Sequence, residues 1–265
     1  MRIQHNIMAM NANRNLTMNN TQLSKNLEKL SSGYRINRAG DDAAGLAISE
    51  KMRASVAIYN QSINNANDGI SLVQTAEGAM TEIHSMLNRM VTLATQAANG
   101  TYSSADLSKI NKEITALNSE IQRIGRSTKF NNIKLFSAAS AAILQVDKSN
   151  TISVAIDTFK LSAIKCSAIT TRSGAAAAIS KLETAIGTIS GYRADLGAIQ
   201  NRLEHTVNNL GVTMENLQNA ESTIRDTNVA DEMMKYTKNN ILIQSAQAML
   251  AQANQVPQGV LQLMG

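Results

Sequence analysis

Scarcity defines this chain: its 265 residues include one proline, one cysteine, no tryptophan, five tyrosines and three phenylalanines. One cysteine, Cys166, excludes an intramolecular disulfide and any cysteine-rich zinc site, and reads as a small loop residue. With so few aromatic anchors there is little to line a compact ligand pocket. With almost no proline, nothing interrupts long helices. No run of about 18 apolar residues occurs, so no helix should enter a membrane. The N-terminus, Met1-Arg2-Ile3-Gln4-His5-Asn6, has no apolar leader core, so export would proceed without a cleaved signal peptide.

A net charge of +5 raises the question of nucleic acid. No two basic residues are adjacent, however, and no aromatic residues interleave with them to stack on bases, which argues against that partner. Nor can a nucleophile, base and oxyanion set be assembled, so the chain reads as a non-enzyme without cofactor. Asp41 and Asp42 form an acidic pair with no histidine or third carboxylate nearby. They read as caps for a following helix, not as a metal site. His84 falls on an apolar stripe far from His5 and His205, as a partly buried histidine would, and the methionines read as fillers.

Aliphatic periodicity is what the chain has in abundance. From Met52 to Ala98 a stripe recurs every third then fourth residue: Met52, Val56, Tyr59, Ile63, Ala66, Ile70, Val73, Glu77, Met80, His84, Leu87, Val91, Ala94 and Ala98. That period predicts one long helix of roughly 70 Å at ~1.5 Å per residue, built to lie along others. Ser103 and Asp106 predict a capped second helix with Leu107, Ile110, Ile114, Leu117, Ile121 and Ile124 inward, closed by Gly125 and folded back antiparallel. A third stripe places Leu182, Ile189, Leu196, Leu203, Leu210, Leu217 and Ile224 seven apart. Its glycines, Gly187, Gly191, Gly197 and Gly211, each cost up to ~1 kcal/mol relative to alanine, so this helix relies on packing.

Around these stripes lie weaker elements. Residues 5–33 predict a helix with Leu16, Leu23 and Leu30 spaced by seven, rich in Asn and Thr and therefore marginal alone. Residues 34–40 read as a connector. Residues 128–135 read as extended and 137–142 as a small-residue linker, while 143–146 and 152–156 read as two strands of one hairpin resting on the helices. The segment 157–174 carries no clear signal. The register breaks near Thr227-Asn228, and a last helix is expected from about Val229 to Asn254, with Pro257 ending it and an apolar tail beyond. The resulting fold class is mainly α: a long antiparallel helical bundle or coiled coil with one small β-hairpin.

The run Leu30-Ser31-Ser32-Gly33-Tyr34-Arg35-Ile36-Asn37-Arg38-Ala39-Gly40-Asp41-Asp42-Ala43-Ala44-Gly45-Leu46-Ala47-Ile48-Ser49 closely resembles the N-terminal signature of bacterial flagellins. The run from Arg193 to His205 and the stretch Ala253-Asn254-Gln255-Val256-Pro257-Gln258 resemble the C-terminal part of the same family. The likeness covers about residues 1–160 and 174–265. It implies a subunit that polymerises into the extracellular flagellar filament for motility. Residues 1–42 and 226–265 would form the inner-tube coiled coil, and 43–225, with a hairpin near 143–156, the outer tube. Only a short stretch stands where longer members insert outer domains, and no His-Glu-x-x-His sequence suggests the protease insert some carry.

The same resemblance implies self-assembly as a helical homopolymer, with the flagellar export apparatus, an export chaperone, and the filament cap and junction proteins as further partners. Assembly is expected to rest on Leu16, Leu23, Leu30, Ile241, Leu250, Val260 and Leu261, the terminal helices ordering as subunits join. Family members are also ligands of the innate receptor TLR5, and the positions matching its binding motif are Arg89, Leu93 and Glu113. Thr223 and Asn228 depart from residues common in the family. Alternative readings are a hook–filament junction protein, which shares similar terminal helices, and a secreted monomer acting as receptor ligand or adhesin.

Overall fold

A computed structural model describes residues 6–136, 141–146, 150–155 and 171–264. Its elements run α1 (Ile7–Ser32), α2 (Ala43–Ala98), α3 (Ser104–Ser127), β1 (Lys129–Phe130), β2 (Ile133–Lys134), β3 (Ala141–Gln145), β4 (Thr151–Ala155), α4 (Arg172–Arg225) and α5 (Val229–Met264). The mainly α fold is as the periodicity predicted, with a second hairpin in the stretch that read only as extended. There Asn131 and Asn132 sit at φ 45° and 66°, the two left-handed positions that a tight two-residue hairpin loop demands. Cys166, Ile156 and the middle of the segment without a clear signal lie outside the described residues.

The chain divides into two compact units, Ala57–Met214 and a second formed by Met1–Val56 with Glu215–Gly265. In the first, α2, α3 and α4 share an apolar core with the hairpins. Leu182, Ile189, Leu196, Leu203 and Leu210 of α4 are all buried, as their spacing foretold. Ile110, Ile114 and Ile121 of α3 meet them. Ser103 caps α3, its Oγ accepting the Asp106 N–H at 3.3 Å while its hydroxyl donates to the Asp106 carboxylate at 2.7 Å. Gly125 does not close that helix; it is a buried residue inside the last turn, which continues to Ser127.

Along α2 the buried positions include Ser62, Ala66, Gly69, Val73, Ala76, Met80, Ile83, Leu87, Met90, Ala94 and Ala97. Five of the fourteen predicted stripe positions are among them, Ala66, Val73, Met80, Leu87 and Ala94, and six more are displaced by one residue. Ile63, Ile70, Glu77, His84, Val91 and Ala98 are only half-buried, because they lie on one flank of the helix's inner face instead of at its centre. The β3–β4 hairpin rests on this bundle as expected, burying Val146, Ile152 and Val154 and leaving Ile143 out. Asn65 Nδ2 fastens it by donating to the Gln145 carbonyl at 2.9 Å.

In the second unit, α1 ends at Gly33, whose φ of 75° would strain any residue with a Cβ. Only one of the two connector acids caps α2: Asp42 Oδ1 accepts the Gly45 N–H at 2.9 Å. Asp41 instead folds the connector, accepting the N–H groups of Asn37 and Arg38 at 3.2 and 3.1 Å. Asn228 caps α5, its Oδ1 accepting the Ala230 N–H at 3.1 Å. The helix does not stop near Asn254. It passes through Pro257 to Met264, because the carbonyl that the proline orphans, that of Ala253, finds another donor in the side chain of Asn6.

Candidate functional site

α1 pairs antiparallel with α5 along two interlocking heptad rows. On α1 the covered residues are Ala9, Ala12, Leu16, Asn19, Leu23, Asn26 and Leu30; on α5 they are Glu232, Tyr236, Asn239, Ile243, Ala246, Leu250 and Ala253. Steps of three and four separate them throughout, the mark of a coiled-coil seam. Of the predicted assembly residues, Leu16, Leu23, Leu30 and Leu250 therefore lie in the seam within the subunit. Ile241 lies outside it and is exposed. The side chains of Val260 and Leu261 lie outside the described residues.

Three fully covered polar residues interrupt this seam. Asn26, Glu232 and Asn239 are all buried. With the Asn26 amide oriented to satisfy its neighbours, Nδ2 donates to Glu232 Oε1 at 3.0 Å and to the Gln22 carbonyl at 3.1 Å. Its Oδ1 accepts from Asn239 Nδ2 at 3.0 Å. Lys235 Nζ adds a bond to the Glu232 carboxylate at 3.1 Å. Such a layer is satisfied in only one alignment of the two helices, so it sets their register. The sequence signal was present in Asn26, a polar residue midway between Leu23 and Leu30.

Both helices also carry apolar residues away from the seam. Ile7, Met8, Met10, Met18 and Leu27 of α1 are exposed, as are Val229, Met233, Met234, Ile241, Leu242 and Met249 of α5. Single exposed hydrophobes are ordinary, but rows of them along paired helices mark a surface awaiting a partner.

Where α1 hands over to the connector and α4 to α5, the backbone closes on itself. Arg35 N–H donates to the Arg225 carbonyl at 2.7 Å and Thr227 N–H to that of Gly33 at 2.9 Å, and the Arg35 guanidinium reaches the Ile224 carbonyl. The Arg225 guanidinium lies 4.8 Å from the centre of the Tyr34 ring and 2.6 Å from Glu50 Oε1. Arg225 in turn holds the Glu50 carboxyl below its ordinary range. None of this joint was legible as periodicity, because its partners are about 190 residues apart.

In the other unit, Arg89 of α2 and Glu113 of α3 are paired, Nη2 and Nε donating to the same carboxylate oxygen at 2.8 and 3.0 Å, with both side chains exposed. Leu93, one turn further along α2, is 3% exposed and belongs to the core.

Residues 3–141 match the model of the bacterial flagellin N-terminal helical region, and residues 179–264 that of the C-terminal helical region. The chain belongs to the bacterial flagellin family. It is 50% identical to a flagellin of Halalkalibacterium halodurans, covering 99% of both chains, and 47% identical to one of Bacillus subtilis, covering 100% of both. It is 43% identical to a flagellar filament 30.7 kDa core protein of Treponema maltophilum, over 99% of each chain. Among solved structures, Bacillus cereus flagellin matches at a TM-score of 0.52 and 35% identity, over 56% of this chain and 88% of that one. A putative flagellar hook-associated protein of Vibrio parahaemolyticus matches at 0.60 over 70% of this chain and 100% of that one. At 11% identity the second likeness speaks for the fold alone. As a flagellin this chain is a short form without a variable domain, and the family is a structural one.

Proposed function

We propose that the exposed apolar rows of α1 and α5 are the faces through which copies of this chain join. The chain is a structural subunit of the bacterial flagellar filament, an extracellular polymer that serves motility. The observation carrying the proposal is that both helices keep apolar rows exposed after their mutual seam is complete. A contact between such a row and a different patch on the next copy does not close on itself and grows into a helical polymer. In this reading residues 1–42 and 226–265 line an inner tube, and residues 43–225 form the outer one. Ile241, Val260 and Leu261 meet neighbouring copies, while Leu16, Leu23, Leu30 and Leu250 hold the pair that presents them.

Seeded polymerisation tests this. Removing residues 229–265 should abolish growth while leaving the Ala57–Met214 unit helical; growth that survives the truncation would overturn the reading. The same apolar rows suit an export chaperone, which would shield them before passage through the flagellar export apparatus, and the junction and cap proteins at the filament's two ends. Near-full-length identity to flagellins and filament core proteins favours the filament over the hook–filament junction.

A second reading, that the free subunit is a ligand of TLR5, is favoured by the exposed Arg89–Glu113 pair on adjoining helices. Arg89 and Glu113 supply the accessible charges, and Leu93 holds α2 in the core beneath its exposed face. Arg89→Ala should weaken binding of soluble receptor at least tenfold without changing polymerisation. Unchanged receptor affinity would overturn this second reading and leave the first intact.

A further inference from the structure

We propose that six methionines on the terminal helices, Met8, Met10, Met18, Met233, Met234 and Met249, form an oxidation site that controls whether a subunit can join the filament. These six are 45–67% exposed, and all lie in the unit built from the two chain ends. The contrast with the other unit is sharp. Met80 and Met90 are wholly buried there, and Met86 and Met214 are half-buried. A two-electron oxidant such as hydrogen peroxide or hypochlorite therefore meets thioether sulfur first on the face that has no partner within the subunit.

Reaction with peroxide is balanced without any further group. The sulfur lone pair attacks one peroxide oxygen, the O–O bond breaks, an S–O bond forms, and the displaced hydroxide takes up a proton to leave as water. Sulfur is oxidised by two electrons and the peroxide is reduced by two. The product is a sulfoxide, a polar acceptor with no donor of its own, where a flexible apolar side chain had been. On a solvent-facing surface that change is tolerated, because water donates to the new oxygen. Pressed against a neighbouring copy it leaves an acceptor without a donor, which weakens the contact.

Timing follows from the geometry. A free subunit presents all six sulfurs, whereas one inside the polymer has them covered by its neighbours. Oxidation before joining would block incorporation, and oxidation after joining would be slow. Because it is a sulfoxide, the block is reversible by methionine sulfoxide reductases, which act on one epimer each.

This inference rests on the reading that the α1 and α5 rows meet other copies, and the experiment separates the two. Purified subunits and seeded filaments are treated with the same dose of hydrogen peroxide, and sulfoxides are mapped by peptide mass spectrometry. In free subunits the six should oxidise at least tenfold faster than Met80 and Met90, and in filaments at least tenfold more slowly than in free subunits. Oxidised subunits, shown by circular dichroism to keep their helix content, should elongate seeds at least fivefold more slowly, and treatment with both reductases should restore the rate. A variant with all six changed to leucine should elongate at the same rate with and without peroxide, whatever that rate is. If oxidised subunits elongate at the untreated rate, the inference fails while the assembly reading stands. If the six react equally fast in filaments, the assembly reading itself fails. Loss of helix on oxidation would overturn the surface mechanism.

Discussion

Asn6 Nδ2 donates to the carbonyl of Ala253 at 2.7 Å, the one carbonyl in α5 that Pro257 leaves without its helical N–H. The same side chain caps α1, its Oδ1 accepting the Ala9 N–H at 3.1 Å. One residue thus starts the first helix and repairs the last. Asn6→Ala should cost about 2–3 kcal/mol, from the lost cap and an unpaired carbonyl on a buried residue. Asn6→Asp, which keeps the cap but cannot donate, should lose only the second part. The decisive measurement is a double-mutant cycle. Pro257→Ala restores the helical donor to Ala253, so Asn6→Ala should cost roughly 1 kcal/mol less in that background. Strict additivity in thermal unfolding would refute the clasp.

The Asn26–Asn239–Glu232 layer gives a prediction of opposite character. Asn26→Leu alone should destabilise the α1–α5 pair by about 2–3 kcal/mol, because it leaves Glu232 and Asn239 buried with fewer partners. Replacing all three by leucine should recover most of that stability and relax the register. Disulfide trapping between cysteines placed on α1 and α5 would show this as several alignments in the triple variant and a single one in the parent.

Two glycines of α2 separate packing from helix propensity. A Cβ on Gly69 would run into the Leu144 side chain of the hairpin and lie 3.3 Å from Leu203 Cδ1, whereas one on Gly78 would meet nothing within 4 Å. Gly78→Ala should therefore stabilise the subunit by roughly 0.5–1 kcal/mol. Gly69→Ala should destabilise it by about 1–2 kcal/mol, overpacking outweighing the gain in propensity. Equal shifts in unfolding temperature would show that the hairpin does not seat against Gly69.

Acid should loosen both units by a common route. Arg225 lowers the Glu50 carboxyl, the backbone N–H groups of Arg38 and Asn37 lower Asp41, and the Ser103 hydroxyl, with Lys109, lowers Asp106. A carboxyl whose folded pKa is depressed contributes its stabilisation above the unfolded value, roughly 4, and loses it as pH falls through the folded one. Unfolding temperature should accordingly hold steady from pH 7 to about 5 and drop below pH 4. Glu50→Gln should flatten part of that drop, as followed by circular dichroism, and an unchanged profile would contradict the Arg225 pairing.

How much of this was readable in advance depended on distance along the chain. The row from Leu182 to Leu210 in α4, the cap at Ser103 and the capping role of Asp42 are local patterns, and each is where the sequence placed it, while Leu217 and Ile224 at the end of that row are only half-buried. The six displaced positions of the α2 stripe show the limit. Periodicity fixes that a helix has an inner face but not where that face is centred, and Ile83 and Met90 are buried while His84 and Val91 sit on its flank. Asp41 shows the same limit in a loop. Its role was decided by how the connector folds back on it.

The amino-acid order alone determined a mainly helical chain of the flagellin family, because heptad spacing, the near-absence of proline and the signatures at both ends are all contained in short stretches. Tertiary structure alone decided that α5 runs through its proline, that three polar residues key α1 to α5, and that the exposed sulfurs collect on one unit. Each of these depends on groups more than 200 residues apart being brought within hydrogen-bond reach or onto one surface, and no local pattern encodes that.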